Sequence, residues 1–352
     1  MVGRLRPCDE RRVDLRRSHS THLQTPRLNN TGLVTLMTRT LAVCDLREWH
    51  AGGEARERFV TTMGDALKDI GFFALTGHGI AAEAIDQAYT TIGRFFHLDD
   101  ATKRSYERAD MFRQRGYTPY GVEHAKDNPE PDLKEFWQTG RTLADGHPSQ
   151  DAFPRNFWPS ADVPEFEGHI DGLYQAMERM SVDLLSAASL YLGEASGWLP
   201  DMAQDGNTIL RVIHYPELAP DTPPGAVRSA QHEDINLLTL LVGATADGLQ
   251  VMDHDGSWIE VEGNHDHIIV DSGDMLQNLT NGLFKSTTHR VVNPPDAATE
   301  RYSMPMFVHP RGDVDLTPRA KFVEMTGGEA RYPSILADDY LHQRLVEIGL
   351  AS

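Results

Sequence analysis

Cysteine is almost missing from this chain: 352 residues contain two, Cys8 and Cys44. That excludes a disulfide scaffold and a thiolate zinc site, and a reducing cytoplasm is the expected setting. Cys44 lies in the apolar run Leu41-Ala42-Val43-Cys44 and reads as a small buried hydrophobe. Positive charge is in deficit, with 33 Lys and Arg against 52 Asp and Glu and a formal net charge of -19. No basic stripe follows residue 41, so no nucleic-acid partner is expected. No apolar run reaches the length that crosses a bilayer, so no membrane partner is expected either. The start, Met1-Val2-Gly3-Arg4, lacks the apolar core of a secretory signal. The composition that remains, 40% hydrophobic and 24% charged residues, describes a globular cytoplasmic protein with a sizeable core.

Along the chain the composition shifts twice. Residues 1–38 crowd Arg4, Arg6, Arg11, Arg12, Arg16 and Arg17 among Ser, Thr and Asn, and read as a disordered basic extension. Residues 39–200 carry mostly helical patterns. A short strand at Ala42–Leu46 is expected, with Asp45 capping the segment after it. Helices are expected over Ala55–Lys68, Ile80–Phe96 and Ile170–Leu192, and a buried strand at Phe72–Leu75. Residues 110–140, with Pro119, Pro129 and Pro131, read as loop-rich, with no strand expected there. Over 201–312, eight short apolar segments recur between Gly, Asn, Asp or Pro: Ile209–Tyr215, Ile235–Val242, Leu249–Met252, Trp258–Val261, His267–Asp271, Met275–Leu279, His289–Val292 and Tyr302–Val308. That count suits a double-sheet jelly roll. Residues 313–352 read as a loop and a closing helix from Tyr332 through Leu345 and Ile348. The expected class is mainly β with flanking helices: a helical N-terminal region, a jelly-roll core and a C-terminal helix.

His232 and Asp234 are two residues apart, and on an extended segment such positions share a face. One strand end can then offer an imidazole and a carboxylate to one ion, with Glu233 turned elsewhere. His289 lies 55 residues beyond Asp234, a separation that suits a partner strand. Two imidazoles and one carboxylate with open positions are the ligand set of a non-haem Fe(II) oxygenase. A rival set, His265-Asp266-His267, follows Gly263-Asn264 and reads as a solvated turn. Asp253-His254-Asp255-Gly256 reads as a hairpin turn. Arg301 and Ser303 share a strand face too, and a guanidinium with a hydroxyl beside it suits capture of a carboxylate. Tyr215 could reach the same acid through its phenol.

These residues, in this order, resemble the 2-oxoglutarate/Fe(II)-dependent oxygenases, in their isopenicillin N synthase-like branch, over roughly residues 40–345. Ile70-Gly71-Phe72-Phe73 with Gly77-His78-Gly79, then Phe95-Phe96, match fold signatures of the N-terminal region, which makes His78 a structural histidine. Arg115-Gly116-Tyr117 with Asp132-Leu133-Lys134-Glu135 resembles a bacterial subgroup. Gln231-His232-Glu233-Asp234, Gly248-Leu249-Gln250-Val251, Thr280-Asn281-Gly282, His289-Arg290-Val291 and Arg301-Tyr302-Ser303 match the core. The resemblance implies Fe(II) on His232, Asp234 and His289, and the distal carboxylate of 2-oxoglutarate on Arg301 and Ser303 with Tyr215 assisting. It also implies O2 as co-reactant and release of succinate and CO2. Ile213 departs from the pattern of plant relatives, which carry Asn there.

The expected activity is oxidation, by hydroxylation, of a small organic molecule. Arg115, Tyr117, Tyr120, Lys134, Phe136, Asn281 and Phe284 are the expected substrate-lining residues. Three other readings use the same residues: an oxidase of the isopenicillin N synthase type that needs no 2-oxoglutarate, a metal-binding jelly roll without turnover, and a zinc hydrolase with Glu233 as base.

Overall fold

A computed structural model of the protein describes residues 39–347, except residues 112, 124–129, 150–152 and 263–265. The extension 1–38, His265 and Ile348 lie outside the described residues. Twelve described strands run in chain order: β1 Ala42–Asp45, β2 Phe72–Thr76, β3 Gly116–Thr118, β4 Glu135–Gly140, β5 Ile209–Tyr215, β6 Ser229–His232, β7 Leu238–Val242, β8 Leu249–Met252, β9 Trp258–Glu260, β10 Ile268–Ser272, β11 His289–Val291 and β12 Arg301–Val308. They form an eight-stranded sheet in the order β1-β2-β10-β7-β12-β5-β4-β3 and a four-stranded sheet in the order β6-β11-β8-β9. Only the β1–β2 pair is parallel among the described strand pairs.

Alternation along the strands of the large sheet divides its two faces. Phe73, Leu75, Leu240, Val242, Ile268, Val270, Met304 and Met306 pack outward with the helices Gly53–Asp69, Ala82–Phe96 and Phe166–Tyr191 in the main core. The alternate residues face the small sheet. Phe72, Ala74 and Ile269 meet Leu249, Val251 and Ile259, while Phe136, Ile213 and Tyr215 meet Val291. Both faces are buried, at about 1.5–3 kcal/mol for each large apolar side chain removed from water. The jelly-roll core with flanking helices is the architecture the strand count suggested.

Several expected elements hold closely. Asp45 caps the first helix, its carboxylate accepting from Arg47 N at 3.0 Å. Ile85, Ala88, Tyr89, Ile92 and Phe96 are all buried on one helix. Four expectations are corrected. The stretch 110–140 supplies β3 and β4, and all six residues of β4 are buried, so it shows no alternation. Met275–Leu279 is a helix, Asp274–Leu279, because Met275, Leu276 and Leu279 are spaced for a helical stripe rather than for alternate faces. The extended segment expected to end at His232 is β6, and β7 begins at Leu238 rather than Ile235. The closing helix begins at Ala337.

Candidate metal centre

The small sheet brings the metal-type residues together. His232 ends β6 and His289 opens β11, and the two are register partners. Their rings sit 4.4 Å apart between centroids. Asp234 lies two residues beyond His232, buried, with Oδ1 at 3.8 Å from Nε2 of each histidine. Among the described residues this is the one group of three or more His, Cys, Asp or Glu able to hold an ion, with ligand atoms within 4.8 Å of one another.

Hydrogen bonds fix which atoms are free. His232 Nδ1 lies 2.7 Å from Ala230 O, and His289 Nδ1 lies 3.1 Å from Thr287 O. A carbonyl only accepts, so each Nδ1 carries the proton and each Nε2 keeps its lone pair. Burial, reinforced by His232, pushes His289 down to about 4, so it is a neutral imidazole at ordinary pH. Asp234 accepts from Thr239 Oγ1, which in turn accepts from Asn236 Nδ2 at 2.9 Å. Asp271 on β10, fully buried, is pushed well above the ordinary carboxylate range by burial and then by Asp234. Two neutral imidazoles and one carboxylate on one side of an ion suit Fe(II) and leave the other side open.

A second cluster lies between the sheets. Arg301 is register partner to Tyr215, and Ser303 to Ile213. Arg301 and Ser303 are buried, and the Arg301 guanidinium stands 4.9 Å from the centroid of the Tyr215 ring. Its Nε donates to Ala246 O at 3.0 Å, while Nη1 is buried with no hydrogen-bond partner. A buried charged donor left open is costly unless an anion completes it, which suits a carboxylate.

Beside the metal-type residues is a cavity of about 410 Å³. His232, Asp234 and Ser229 line it, as do Glu123, Asp132, Lys134 and Arg211. Arg211 donates to both Glu123 oxygens, at 3.1 and 3.0 Å, and lies 4.1 Å from the Phe136 ring centroid. Lys134 reaches Asp132 at 2.8 Å and Glu123 at 3.3 Å. Burial would raise Glu123, but Arg211 and Lys134 outweigh it and hold the carboxyl down to about 2. The cluster is therefore ionised and internally neutralised.

Of the expected substrate residues, Lys134 lines the cavity and the other six do not. Arg115 donates to Gln114 O and to Asn207 Oδ1 at 2.7 and 3.0 Å, tying a loop. Tyr117 packs on Phe95 and donates to Glu135. Tyr120 is exposed. Phe136 sits behind Arg211, one residue removed from the wall. Asn281 holds a turn through Thr326 Oγ1 and Glu329 O, and Phe284 stacks on Tyr191 in the core. Glu233 is exposed at the cavity and accepts from Thr288 Oγ1. Asp253–Gly256 is the β8–β9 hairpin turn, closed by Gly256 N to Asp253 O at 3.0 Å. Burial pushes the Cys44 thiol up to about 12, which makes it inert. Arg211, Asp132 and Arg228 were not singled out as site residues from the sequence. No strand alternation marks Arg228, which lies just before β6, and the β6–β11 register shifts between His232 and Ser229.

Fold and site together define a non-haem iron oxygenase. A family model described as the N-terminal part of non-haem dioxygenases in morphine synthesis matches residues 41–161, and one for the 2OG-Fe(II) oxygenase superfamily matches residues 206–310. The chain is 32% identical over 278 residues to the 2-oxoglutarate-dependent dioxygenase citB of Monascus ruber, covering 75% of this chain and 82% of that one. It resembles a 2OG-Fe(II) oxygenase family protein from Caulobacter crescentus with TM-score 0.78 and 35% identity, covering 88% and 99%. It also resembles a full-length Neurospora crassa protein in complex with alpha-KG, with TM-score 0.78 and 25% identity, covering 89% and 98%. The chain belongs to the 2OG-Fe(II) oxygenase superfamily. It is a 2-oxoglutarate-dependent dioxygenase that uses Fe(II), 2-oxoglutarate and O2. Among the described residues no helix is long and apolar enough to cross a membrane.

Proposed function

We propose that His232, Asp234 and His289 hold the Fe(II), that Arg301 and Ser303 with Tyr215 hold the distal carboxylate of 2-oxoglutarate, and that the enzyme hydroxylates a small polar molecule in the adjoining cavity. One observation carries this reading: two Nε2 atoms, released by their Nδ1 bonds, meet one carboxylate oxygen at equal distances of 3.8 Å. When bound, iron and 2-oxoglutarate supply the oxidising chemistry, in which O2 is consumed, succinate and CO2 leave, and one oxygen stays on the substrate.

The chain's own residues bind, orient and exclude water. Ala230 O and Thr287 O fix the two imidazoles. Thr239 fixes Asp234. Phe136, Ile213, Tyr215 and Val291 form an apolar wall near Arg301, which strengthens any charge pairing made there. Substrate polarity is inferred from the cavity wall. Besides its ionised cluster it presents Gln114, Gln138, Asn207, Ser229 and Gln231, set among the apolar Ile209, Ile235, Met252, Phe307, Leu341 and Leu345. A small planar molecule rich in hydrogen-bonding groups fits this lining and volume, and the Neurospora crassa relative was solved with thymine. We also place the chain in the isopenicillin N synthase-like branch, in its bacterial subgroup. The N-terminal match and the Caulobacter crescentus likeness support this, although curated relatives such as citB are fungal.

The test is a succinate-release screen across amino acids, nucleobases and small natural products, with oxygen uptake followed in parallel. Succinate should form in step with hydroxylated product. Substrate oxidation without succinate would contradict the role given to Arg301.

A further inference from the structure

Arg301 is not the only buried guanidinium with open donors. Arg228 precedes β6, is fully buried, and lies 5.8 Å from the centroid of the same Tyr215 ring that Arg301 approaches at 4.9 Å. Its Nη2 donates to Thr299 O, just before β12. Its Nε and Nη1 are buried without partners. Burial, followed by the Arg301 charge, pulls its guanidinium down to about 10, so it remains a cation. Glu300, the carboxylate whose field it feels, is bonded to His214 at 2.6 Å. Two like charges share an apolar chamber, and three of their nitrogens lack hydrogen-bond partners. Each such donor costs roughly 1–3 kcal/mol, more when charged. Such an arrangement is retained where an anion occupies it.

We propose that Arg228 is a second guanidinium for the distal carboxylate of 2-oxoglutarate, forming with Arg301 a two-arginine seat around Tyr215. This rests on the proposed role of Arg301. The hydrogen-bond count supports it. A carboxylate offers about four acceptor positions. Arg301 Nη1, the Ser303 hydroxyl and the Tyr215 phenol fill three, which leaves one for Arg228. Its place also fits: Arg228 immediately precedes β6, the strand that ends in His232, and reaches the Tyr215 ring that Arg301 also approaches.

The test is equilibrium binding by calorimetry to the Mn(II)-loaded protein, with two probes. One is 2-oxoglutarate; the other is 2-oxopentanoate, which has the same chain and keto-acid head but no distal carboxylate. Arg228→Met should weaken 2-oxoglutarate at least about tenfold, the loss of one charge-assisted bond, and leave 2-oxopentanoate within about twofold. Equal weakening of both probes would show that Arg228 only props the start of β12, and no change in either would also overturn the proposal. If Arg228→Met does not fold, Arg228→Lys gives the same comparison. It should weaken 2-oxoglutarate severalfold and spare 2-oxopentanoate, and parallel changes would overturn the idea. Arg301→Met in the same assay separates the two readings. Selective loss there with none at Arg228 defeats only this inference, while no selective loss at Arg301 defeats the reading beneath it.

Discussion

His232 and His289 face each other across the β6–β11 pair, and each ties its Nδ1 to the carbonyl two residues before it, Ala230 for one and Thr287 for the other. The symmetry turns both Nε2 atoms toward Asp234. The two imidazoles are therefore set by backbone on adjacent strands rather than by flexible side chains. His232→Ala, Asp234→Ala or His289→Ala should each lower Fe(II) affinity by more than about 100-fold, since even supporting residues are worth 10–100-fold. Iron analysis after anaerobic loading checks this, and full iron content in any of the three would count against the assignment.

Thr239 holds the second oxygen of Asp234. Thr239→Val keeps the shape and removes the donor. Iron affinity should drop about 10- to 100-fold with little change in thermal stability. Unaltered affinity would mean that the strand alone orients Asp234.

Asp132 acts one step further out. It accepts from Ala230 N at 2.9 Å, from Ser229 Oγ at 3.3 Å and from Lys134 Nζ at 2.8 Å. Ala230 donates to Asp132 through its N–H and accepts from His232 through its carbonyl, so the carboxylate positions β6 and, through it, His232. Asp132→Ala should weaken iron binding by up to about tenfold, with Asp132→Asn between it and the parent protein. Direct metal titration of the three proteins reads the order.

Two buried histidines set an acid limit on the metal-free protein. His289 and His309 are each pushed by burial from the ordinary 6.5 to about 4. The unfolded chain therefore binds their protons first. The stability they contribute is complete above pH 6.5 and is lost as pH falls toward 4, at up to about 1.4 kcal/mol per pH unit for each. Urea midpoints should decline across that window, and His309→Asn should flatten the slope. An unchanged slope would show that His309 is not the group titrating.

Glu123 is the shared partner of Arg211 and Lys134 in the cavity wall. Glu123→Gln leaves two buried cations short of a counter-charge and should cost about 3–5 kcal/mol. Urea unfolding measures the loss; a cost under about 1 kcal/mol would mean that the cluster is well solvated.

That His232, Asp234 and His289 could come together was legible, because the first two are spaced by two and the third opens a clearly apolar segment a partner strand away. Elements that depend on distant partners were not. Glu135-Phe136-Trp137-Gln138-Thr139-Gly140 looks like loop because it is buried on both faces, so no alternation marks it. Its Glu135 is tolerated only because Lys103, Tyr117 and His214 converge on it from three other segments. Which of the expected substrate residues reach the cavity was hidden for a related reason. Arg115 and Lys134 carry the same charge, yet only the folded chain shows one tying a loop and the other facing the cavity. Met275–Leu279 was misread because its short length and apolarity suggest a strand, although its apolar residues are spaced as a helical stripe.

The decisive experiment is anaerobic Fe(II) titration and then addition of 2-oxoglutarate, with visible absorption recorded for the parent protein and for His289→Ala. The parent should bind one ferrous ion per chain and develop a charge-transfer band with 2-oxoglutarate, and the variant should do neither. A band of equal strength in His289→Ala would show that the iron sits elsewhere.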